Sequence, residues 1–269
     1  MRFSVLSVTV VLISIVAVDH VQAQGLIWNL PPDGSWVRYE GTYSQLVRRP
    51  NSTEGDLTLE WTRHLTIKSV GTSDEQIGDE TVPCRWLEFK VVTAQPAAIL
   101  EPGPGGDRIY KILVPERSIL GRVNDDANII VSFIPVVRGY RKIGDEDPQP
   151  IESGVFQIYP MVSYLRHYRQ LEAESDTPQQ TDIPLGVVPA VALRGRMITE
   201  STETRSTNEG NLWRSEDVPF GLAKWAVRDT REEKHATQSR DLFRETMEVS
   251  IEMSAHESGK DAVTELDVQ

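Results

Sequence analysis

The stretch LTLEWTRHLTIK, residues 57–68, decides the fold class of this chain of 269 residues. Its apolar side chains share one parity, namely Leu57, Leu59, Trp61, Leu65 and Ile67. Polar side chains take the other parity, and Arg63 is the single charged residue among the apolar positions. Because successive side chains of a strand point to opposite faces, this period of two predicts a long β-strand with one dry and one wet face.

Alternation recurs along the rest of the chain. Residues 247–253 repeat it clearly, and residues 36–47, 85–93, 108–114, 191–203 and 222–230 repeat it less regularly, each bounded by Gly, Pro, Asp or Asn. At least seven strands are therefore expected. Strands with one wet face are typical of antiparallel sheets, since parallel sheets are covered on both faces.

Residues 159–174 show a different period. Met161, Tyr164, Leu165, Tyr168 and Leu171 recur at intervals of three and four, which predicts an amphipathic helix. Its apolar stripe needs a partner, and the dry face of the sheet offers one. The predicted fold is mainly β: a strongly bent antiparallel sheet, a half-barrel or open barrel, with one amphipathic helix packed on the concave face. The strand pattern alone also fits a closed barrel or a sandwich.

The N-terminus predicts export. A positive start at Arg2 precedes an apolar run over residues 3–18, and Val21-Gln22-Ala23 suits a signal peptidase that cleaves after Ala23. We therefore expect a signal peptide over residues 1–23 and a periplasmic or secreted protein without a membrane span. Residues 24–258 are predicted to form one domain, and residues 259–269 a polar, frayed tail.

Composition limits the function classes. Lys plus Arg is 28 against 40 for Asp plus Glu, which gives a net charge of −12. A phosphate backbone would be repelled, so nucleic acid is not an expected partner. Cys84 is the only cysteine and predicts a small buried side chain of a strand. The four histidines after residue 23 show no metal-binding spacing, and no motif for a nucleophile or a phosphate loop occurs. No cofactor, metal or catalytic residue is predicted.

Aromatic residues are the most suggestive set. The chain has six tryptophans, and several lie in the predicted strands. Most are expected in the core, but some would line a concavity if the helix covered the dry face only in part. The candidate ligand-binding residues on the concave face are Trp36, Trp61, Leu65, Trp86, Leu165 and Trp225.

Two short segments, WVRYEGTY at residues 36–43 and VPFGLAKW at residues 218–225, together with the long alternating strands, give the chain a family resemblance. It resembles the exported bacterial lipoprotein carriers of the LolA/LolB type, or uncharacterised exported bacterial families near them. The resemblance implies a bent antiparallel sheet wrapped around helices, with acyl chains bound on the concave face. It identifies no ligand residue in this sequence.

Three functions follow as hypotheses. The first is an exported, non-catalytic binding protein of the bacterial cell envelope that holds an apolar acyl ligand or a lipidated partner. The second is a structural or interaction protein of the envelope that has a packed core and functions through its acidic surface. The third is an unrecognised hydrolase, whose signature would be a pocket that joins a histidine to a carboxylate.

Overall fold

The computed structural model describes residues 25–95, 106–119, 134–156, 163–166, 168, 171–175 and 177–268. Within these ranges the chain is almost entirely strand. The strands are β1 (Trp36–Val47), β2 (Leu57–Ile77), β3 (Glu80–Ala94), β4 (Asp107–Pro115), β5 (Ile134–Pro135), β6 (Arg138–Ile143), β7 (Gln149–Pro150), β8 (Val155–Phe156), β9 (Leu171–Ala173), β10 (Gln179–Ile183), β11 (Gly186–Glu200), β12 (Thr204–Arg214), β13 (Leu222–Glu233) and β14 (Arg244–Gly259). A one-turn helix, α1 (Glu116–Ile119), and 3-10 turns at Pro219–Gly221 and Arg240–Leu242 complete the described elements.

Twelve strands form one antiparallel sheet in the order β10-β11-β12-β13-β14-β1-β2-β3-β4-β6-β7, with β9 paired to β11 beside β10. The strands β5 and β8 form a separate pair. The predicted mainly β fold with an antiparallel sheet is confirmed. Among the described residues the sheet does not close on itself, so of the architectures left open by the sequence, the open sheet is the one observed.

The pairing of β1 with β14 joins two meanders at the middle of the sheet. One meander runs from β1 to β7, and the other runs from β9 to β14. All 12 residues of β1 pair with β14 on one side and with β2 on the other. Gly41 lies in this ladder, where a side chain would overlap the main-chain carbonyl of Glu252.

The sheet is strongly bent. The Leu185 main-chain N–H, in the turn between β10 and β11, donates to the Ala255 carbonyl of β14 at 3.1 Å. The strands β12 and β13 lie between β11 and β14, so a flat sheet would keep these main chains roughly 14 Å apart. The edge of the second meander therefore curls over the concave face.

The concave face carries the hydrophobic core. Tyr39 of β1 packs edge-on against Trp225 of β13, with ring centroids 4.9 Å apart, and its hydroxyl donates to the Leu222 carbonyl at 2.9 Å. Fully buried side chains from both meanders join them, among them Val37, Leu65, Ile67, Leu87, Phe89, Ile112, Leu212 and Ile251. The parity read from residues 57–68 is confirmed, because Leu65 and Ile67 lie in this core.

The helix predicted over residues 159–174 is wrong in its described part. Leu171–Ala173 is the strand β9, whose main chain pairs with residues 193–195 of β11. Tyr164 has φ +56, which is outside the helical region. Leu165 and Tyr168 are buried on the concave face, so these apolar side chains reach the core although the segment is not helical. Residues 159–162, 167, 169 and 170 lie outside the described residues.

Two glycines make room for the segment that replaces the helix. Gly195 of β11 and Gly210 of β12 lie directly opposite each other. A side chain at Gly195 would overlap the Tyr168 ring, and one at Gly210 would overlap its hydroxyl. The Tyr168 ring therefore packs directly on the main chains of β11 and β12, because the glycines there have no side chains.

The C-terminal residues are docked, which corrects the expectation of a frayed tail from residue 259. Residues 260–268 cross the convex face, where the Ala262 N–H donates to the Gly34 carbonyl at 2.8 Å. Leu266 is only 2% exposed. None of the helices in the described ranges has the length and apolarity needed to cross a bilayer.

The ladder between β1 and β14 generates a stability prediction. Replacing Gly41 with Ala forces the backbones apart, so we expect a loss of about 1–3 kcal/mol in the free energy of unfolding, measured by urea titration. Gly154→Ala is the matched control, since no atom lies within 4 Å of the added methyl group. Equal denaturation midpoints for the two variants would contradict the tight approach of β1 and β14.

Candidate functional site

The concave face changes character along its strands. Towards one end it is apolar, with Tyr39, Leu65 and Trp225 in the core. Two to four residues further along the same strands it presents Tyr43, Arg63 and Asp229. The ladder register sets this change, because Tyr43 pairs with Trp61 and Gly41 with Arg63, so these positions share the face with Tyr39 and Leu65. We call the set Tyr43, Arg63, Tyr164, Arg166, Asn208 and Asp229 the polar end.

Asn208 and Asp229 form the centre of the polar end. Asn208 is 2% exposed and Asp229 is 7% exposed. The Asn208 Nδ2 donates to the Asp229 Oδ2 at 2.8 Å and to the Tyr164 carbonyl at 3.1 Å. The Tyr168 hydroxyl donates to the Asn208 Oδ1 at 2.7 Å, and the Ser206 hydroxyl donates to the Asp229 Oδ1 at 3.1 Å. These bonds fix both side chains and satisfy groups whose burial would otherwise be costly.

Aromatic and cationic groups extend the network towards β1 and β2. The Arg63 guanidinium lies over the Tyr43 ring, 4.8 Å from its centroid. The Tyr43 and Tyr164 rings are 6.0 Å apart. Burial, and after it the hydrogen bond with the Tyr164 side chain, raises the pKa of Tyr43, and burial lowers the pKa of Arg63. Burial is the largest cause of both shifts, as expected for polar groups that are partly removed from water.

A cleft of about 440 Å³ opens onto this network. Tyr164, Arg166, Asp229 and Met247 are among its lining residues. The Arg166 guanidinium lies 3.9 Å from the Asp229 carboxylate, so a positive and a negative group face the same space. Met247 adds an apolar wall. Both oxygens of Asp229 accept hydrogen bonds from this chain, so the carboxylate is held in a fixed position at the cleft.

Three of the sequence-predicted residues come together in the core. Leu65, Leu165 and Trp225 are each at most 1% exposed and belong to one cluster. The Trp225 Nε1 donates to the Ser163 carbonyl at 3.2 Å, which ties β13 to the segment that carries Leu165. Their side chains contact this chain's own core, and the polar end begins beside them.

The other three predicted residues lie apart. Trp61 is half-buried beside Tyr43, near the polar end. The Trp36 Nε1 donates to Asp261 of the C-terminal tail at 2.8 Å. Trp86 lies on the convex face with buried Cys84, and Lys111 and Arg138 stack on its ring at 5.3 Å and 5.4 Å from the centroid. The six residues therefore do not form a single site.

The sequence held signals for the residues that it did not identify. Arg63 breaks the apolar parity of its strand, and a charge at a core-facing position marks a special environment. Asp229 shares parity with Trp225, and Asn208 shares parity with Leu212, so each is a polar residue on a dry face. The alternation around them was less regular, and the pairing of β12 with β13 that joins them could not be read from it.

A histidine beside a carboxylate does occur, but on the convex face. His64 and His256 flank Glu40, with each Nδ1 3.5 Å from a Glu40 oxygen. These residues line none of the three clefts described for the chain. Within the described ranges no group of three or more His, Cys, Asp or Glu has a metal-binding arrangement. His64 and His256 therefore lie on the face opposite to the polar end.

A larger cleft, about 960 Å³, lies where β1, β13 and β14 reach the same end of the sheet. Arg48 spans it, paired with Asp56 at 2.8 Å and with Glu245 at 2.7 Å. These groups are partly exposed, and ion pairs in contact with water contribute little free energy. The charges of Arg48, Asp56 and Glu245 offset one another at this open surface, whereas Asn208 and Asp229 at the polar end are buried.

Comparison with known proteins assigns no family to this chain. No family model matches it, and no curated protein matches it. The resemblance to lipoprotein carriers stays a prediction from the sequence.

The network at the polar end generates a prediction. Tyr168→Phe removes the hydroxyl that bonds Asn208, and an unsatisfied buried acceptor costs about 1–3 kcal/mol. We expect that loss in chemical denaturation. Tyr39→Phe is the comparison, because it removes a similar buried hydroxyl from the apolar end. A Tyr168→Phe protein with unchanged stability would show that Asn208 does not depend on this bond.

The convex histidines generate a prediction for pH. Burial, and after it the charge of Arg38, lowers the pKa of His64 and His256 below 6.5. The unfolded chain then binds more protons than the folded chain, so stability falls as pH falls through 6.5. We expect the double variant His64→Gln/His256→Gln to lose less stability between pH 7 and pH 5.5 than the parent protein. His235→Gln, at an exposed position, is the control; if it flattens the pH profile equally, the assignment to the convex pair is wrong.

Proposed function

We propose that this chain is an exported, non-catalytic binding protein of the bacterial cell envelope, and that it holds an apolar acyl ligand or a lipidated partner at the polar end of the concave face. The observation that carries the proposal is the buried network of Asn208 and Asp229, in which Asp229 lines a cleft. Buried polar groups oppose folding unless they are well satisfied, and they recur where a protein recognises a ligand.

The cleft favours an amphipathic ligand. Arg166 and Asp229 offer one group of each charge for a polar head, while Met247 and the Tyr164 ring offer contact to an apolar part. The deep apolar end is filled by Leu65, Leu165 and Trp225. A long acyl chain therefore requires that Leu165 moves away from the sheet together with its neighbours Tyr164 and Arg166.

The backbone of Tyr164 supports such a movement. A residue other than glycine at φ +56 is held in a sparsely populated conformation, which costs of order 1 kcal/mol. Contacts on both sides hold it there, since the Tyr164 carbonyl accepts from Asn208 and the ring packs near Tyr43. A ligand that took over the bond from Asn208 would release this strain.

One observation favours a second function. The apolar end is packed by the chain's own side chains, as expected for an envelope interaction protein that binds no ligand in its core. Such a protein would act through its surface, and its net charge of −12 would give salt-sensitive association with basic partners.

The experiment is native mass spectrometry of the protein exported to a bacterial periplasm and purified without detergent. We expect a chain that begins at Gln24 and carries a lipid mass that solvent extraction removes. The extracted protein should then bind the fluorescent fatty acid cis-parinaric acid with saturable, one-site stoichiometry. A clean apo mass together with unsaturable binding would overturn the proposal in favour of the packed-core alternative.

Matched variants locate the site. Arg166→Gln removes the cation that faces Asp229 in the cleft and should weaken binding roughly tenfold, the equivalent of about 1.4 kcal/mol. Glu252→Gln changes an exposed charge on the convex side of β14 and should leave the affinity unchanged. Equal affinities for both variants would place the ligand elsewhere on the molecule.

A further inference from the structure

The C-terminal tail, residues 260–268, lies across three strands of the first meander on the convex face. Beneath it, β2, β3 and β4 present three lysines around one fully buried acid. We call these residues, Lys68, Lys90, Lys111 and Glu88, the lysine groove. The three lysines outnumber the single acid among them, so the lysine groove is a locally basic surface. The chain as a whole is acidic, with a net charge of −12.

The side chains of the lysine groove form hydrogen bonds with the main chain of the tail. The Glu88 carboxylate, 0% exposed, accepts the main-chain N–H groups of Glu265 at 2.9 Å and Leu266 at 3.3 Å. The Lys68 Nζ donates to the Val263 carbonyl at 3.1 Å, and the Lys111 Nζ donates to the Leu266 carbonyl at 2.8 Å. Contacts of this kind recognise an extended backbone whatever its side chains are.

Two side chains of the tail add selectivity. Glu265 lies between two lysines, with the Lys68 Nζ at 2.6 Å and the Lys90 Nζ at 2.5 Å. Leu266 is buried beside it. An acidic residue followed by an apolar one, in an extended segment, is thus the chemistry that the groove fits.

The tail is an addition to a finished sheet. The ladders between β2, β3 and β4 are complete beneath it, and the tail adds no strand to them. The main-chain bond between Ala262 and Gly34 joins the tail to the chain before β1, and the other hydrogen bonds described for the tail involve side chains of the sheet or of the tail itself. Removing the tail would leave the sheet paired and would uncover the Glu88 carboxylate and the lysines.

We propose that the lysine groove is a docking surface for an extended acidic segment of a partner protein, and that the chain's own tail occupies it until such a segment replaces it. The groove lies on the face opposite to the polar end, so this interaction is independent of ligand binding on the concave face. A tethered segment competes at an effective concentration in the millimolar range, so a partner must bind the free groove tightly or the tail must first be released.

The experiment uses the full chain and, as probe, a fluorescein-labelled peptide of residues 260–269. The variant Glu265→Lys loses both ion pairs and brings a third cation to Lys68 and Lys90, which should release the tail. We expect its affinity for the peptide, measured by fluorescence anisotropy, to exceed that of the parent protein at least tenfold. Circular dichroism of both proteins should be the same, since the sheet does not depend on the tail.

A second release variant and two lysine variants complete the design. Leu266→Asp should also open the groove, by making burial of that side chain unfavourable. Added to Glu265→Lys, the substitution Lys90→Gln should weaken peptide binding about tenfold, whereas Lys142→Gln, a lysine of β6 outside the groove, should not. Two folded release variants that both fail to bind the peptide would overturn the proposal. A release variant that forms dimers instead of binding the peptide would also overturn it, because a second copy would then be the occupant.

Discussion

The antiparallel ladder between β1 and β14 is the interaction on which the rest of the structure depends. Each meander is held by local hairpins, but only this ladder makes them one sheet with one concave face. The packing of Tyr39 against Trp225 follows from it, since the two residues come from opposite sides of the ladder. Gly41 lets the backbones approach at that point. The core therefore forms only when the ladder between β1 and β14 joins the two meanders, because both contribute side chains to it.

The same ladder explains why an apolar core and a polar network lie on one face. Strands that cross a bent sheet carry their side chains from the closed, dry end to the open end, and the register keeps them aligned. Tyr43 and Arg63 follow Tyr39 and Leu65 in this way, and Asp229 follows Trp225. Asp229 remains buried because Asn208 and the neighbouring residues Tyr164 and Arg166 cover it. Recognition of a polar group next to an apolar wall needs such a boundary, which supports placing a ligand there.

Much of the fold could be predicted from the sequence, because alternation along a strand is a local property. The alternation in residues 57–68 correctly predicted that Leu65 and Ile67 point into the core. The polar side chains on the opposite face of the strands predicted an antiparallel sheet, because parallel sheets are covered on both faces. The errors lie where distant segments decide the conformation. Leu171 fits a helical spacing, but the free edge of β11 pairs with its main chain. The tail is polar by composition, yet Glu88, from a strand far back in the sequence, holds it. At the polar end, Arg63 could be identified from the sequence because it is a charged residue among the apolar positions of its strand. Which residues lie beside it could not be predicted, because that depends on the pairing of distant strands.

The position of β14 also determines when the molecule can acquire its structure. The hydroxyl of Tyr39 bonds a carbonyl 183 residues further along the chain. Contacts between such distant parts of a chain raise the contact order, and they slow folding because a large loop must close before the contact gains free energy. While the chain is being synthesised, the first meander has hairpins but no complete concave core. Because β14 contributes Val249, Ile251 and Met253 to that core, the chain can commit to its native state only after β14 has been synthesised.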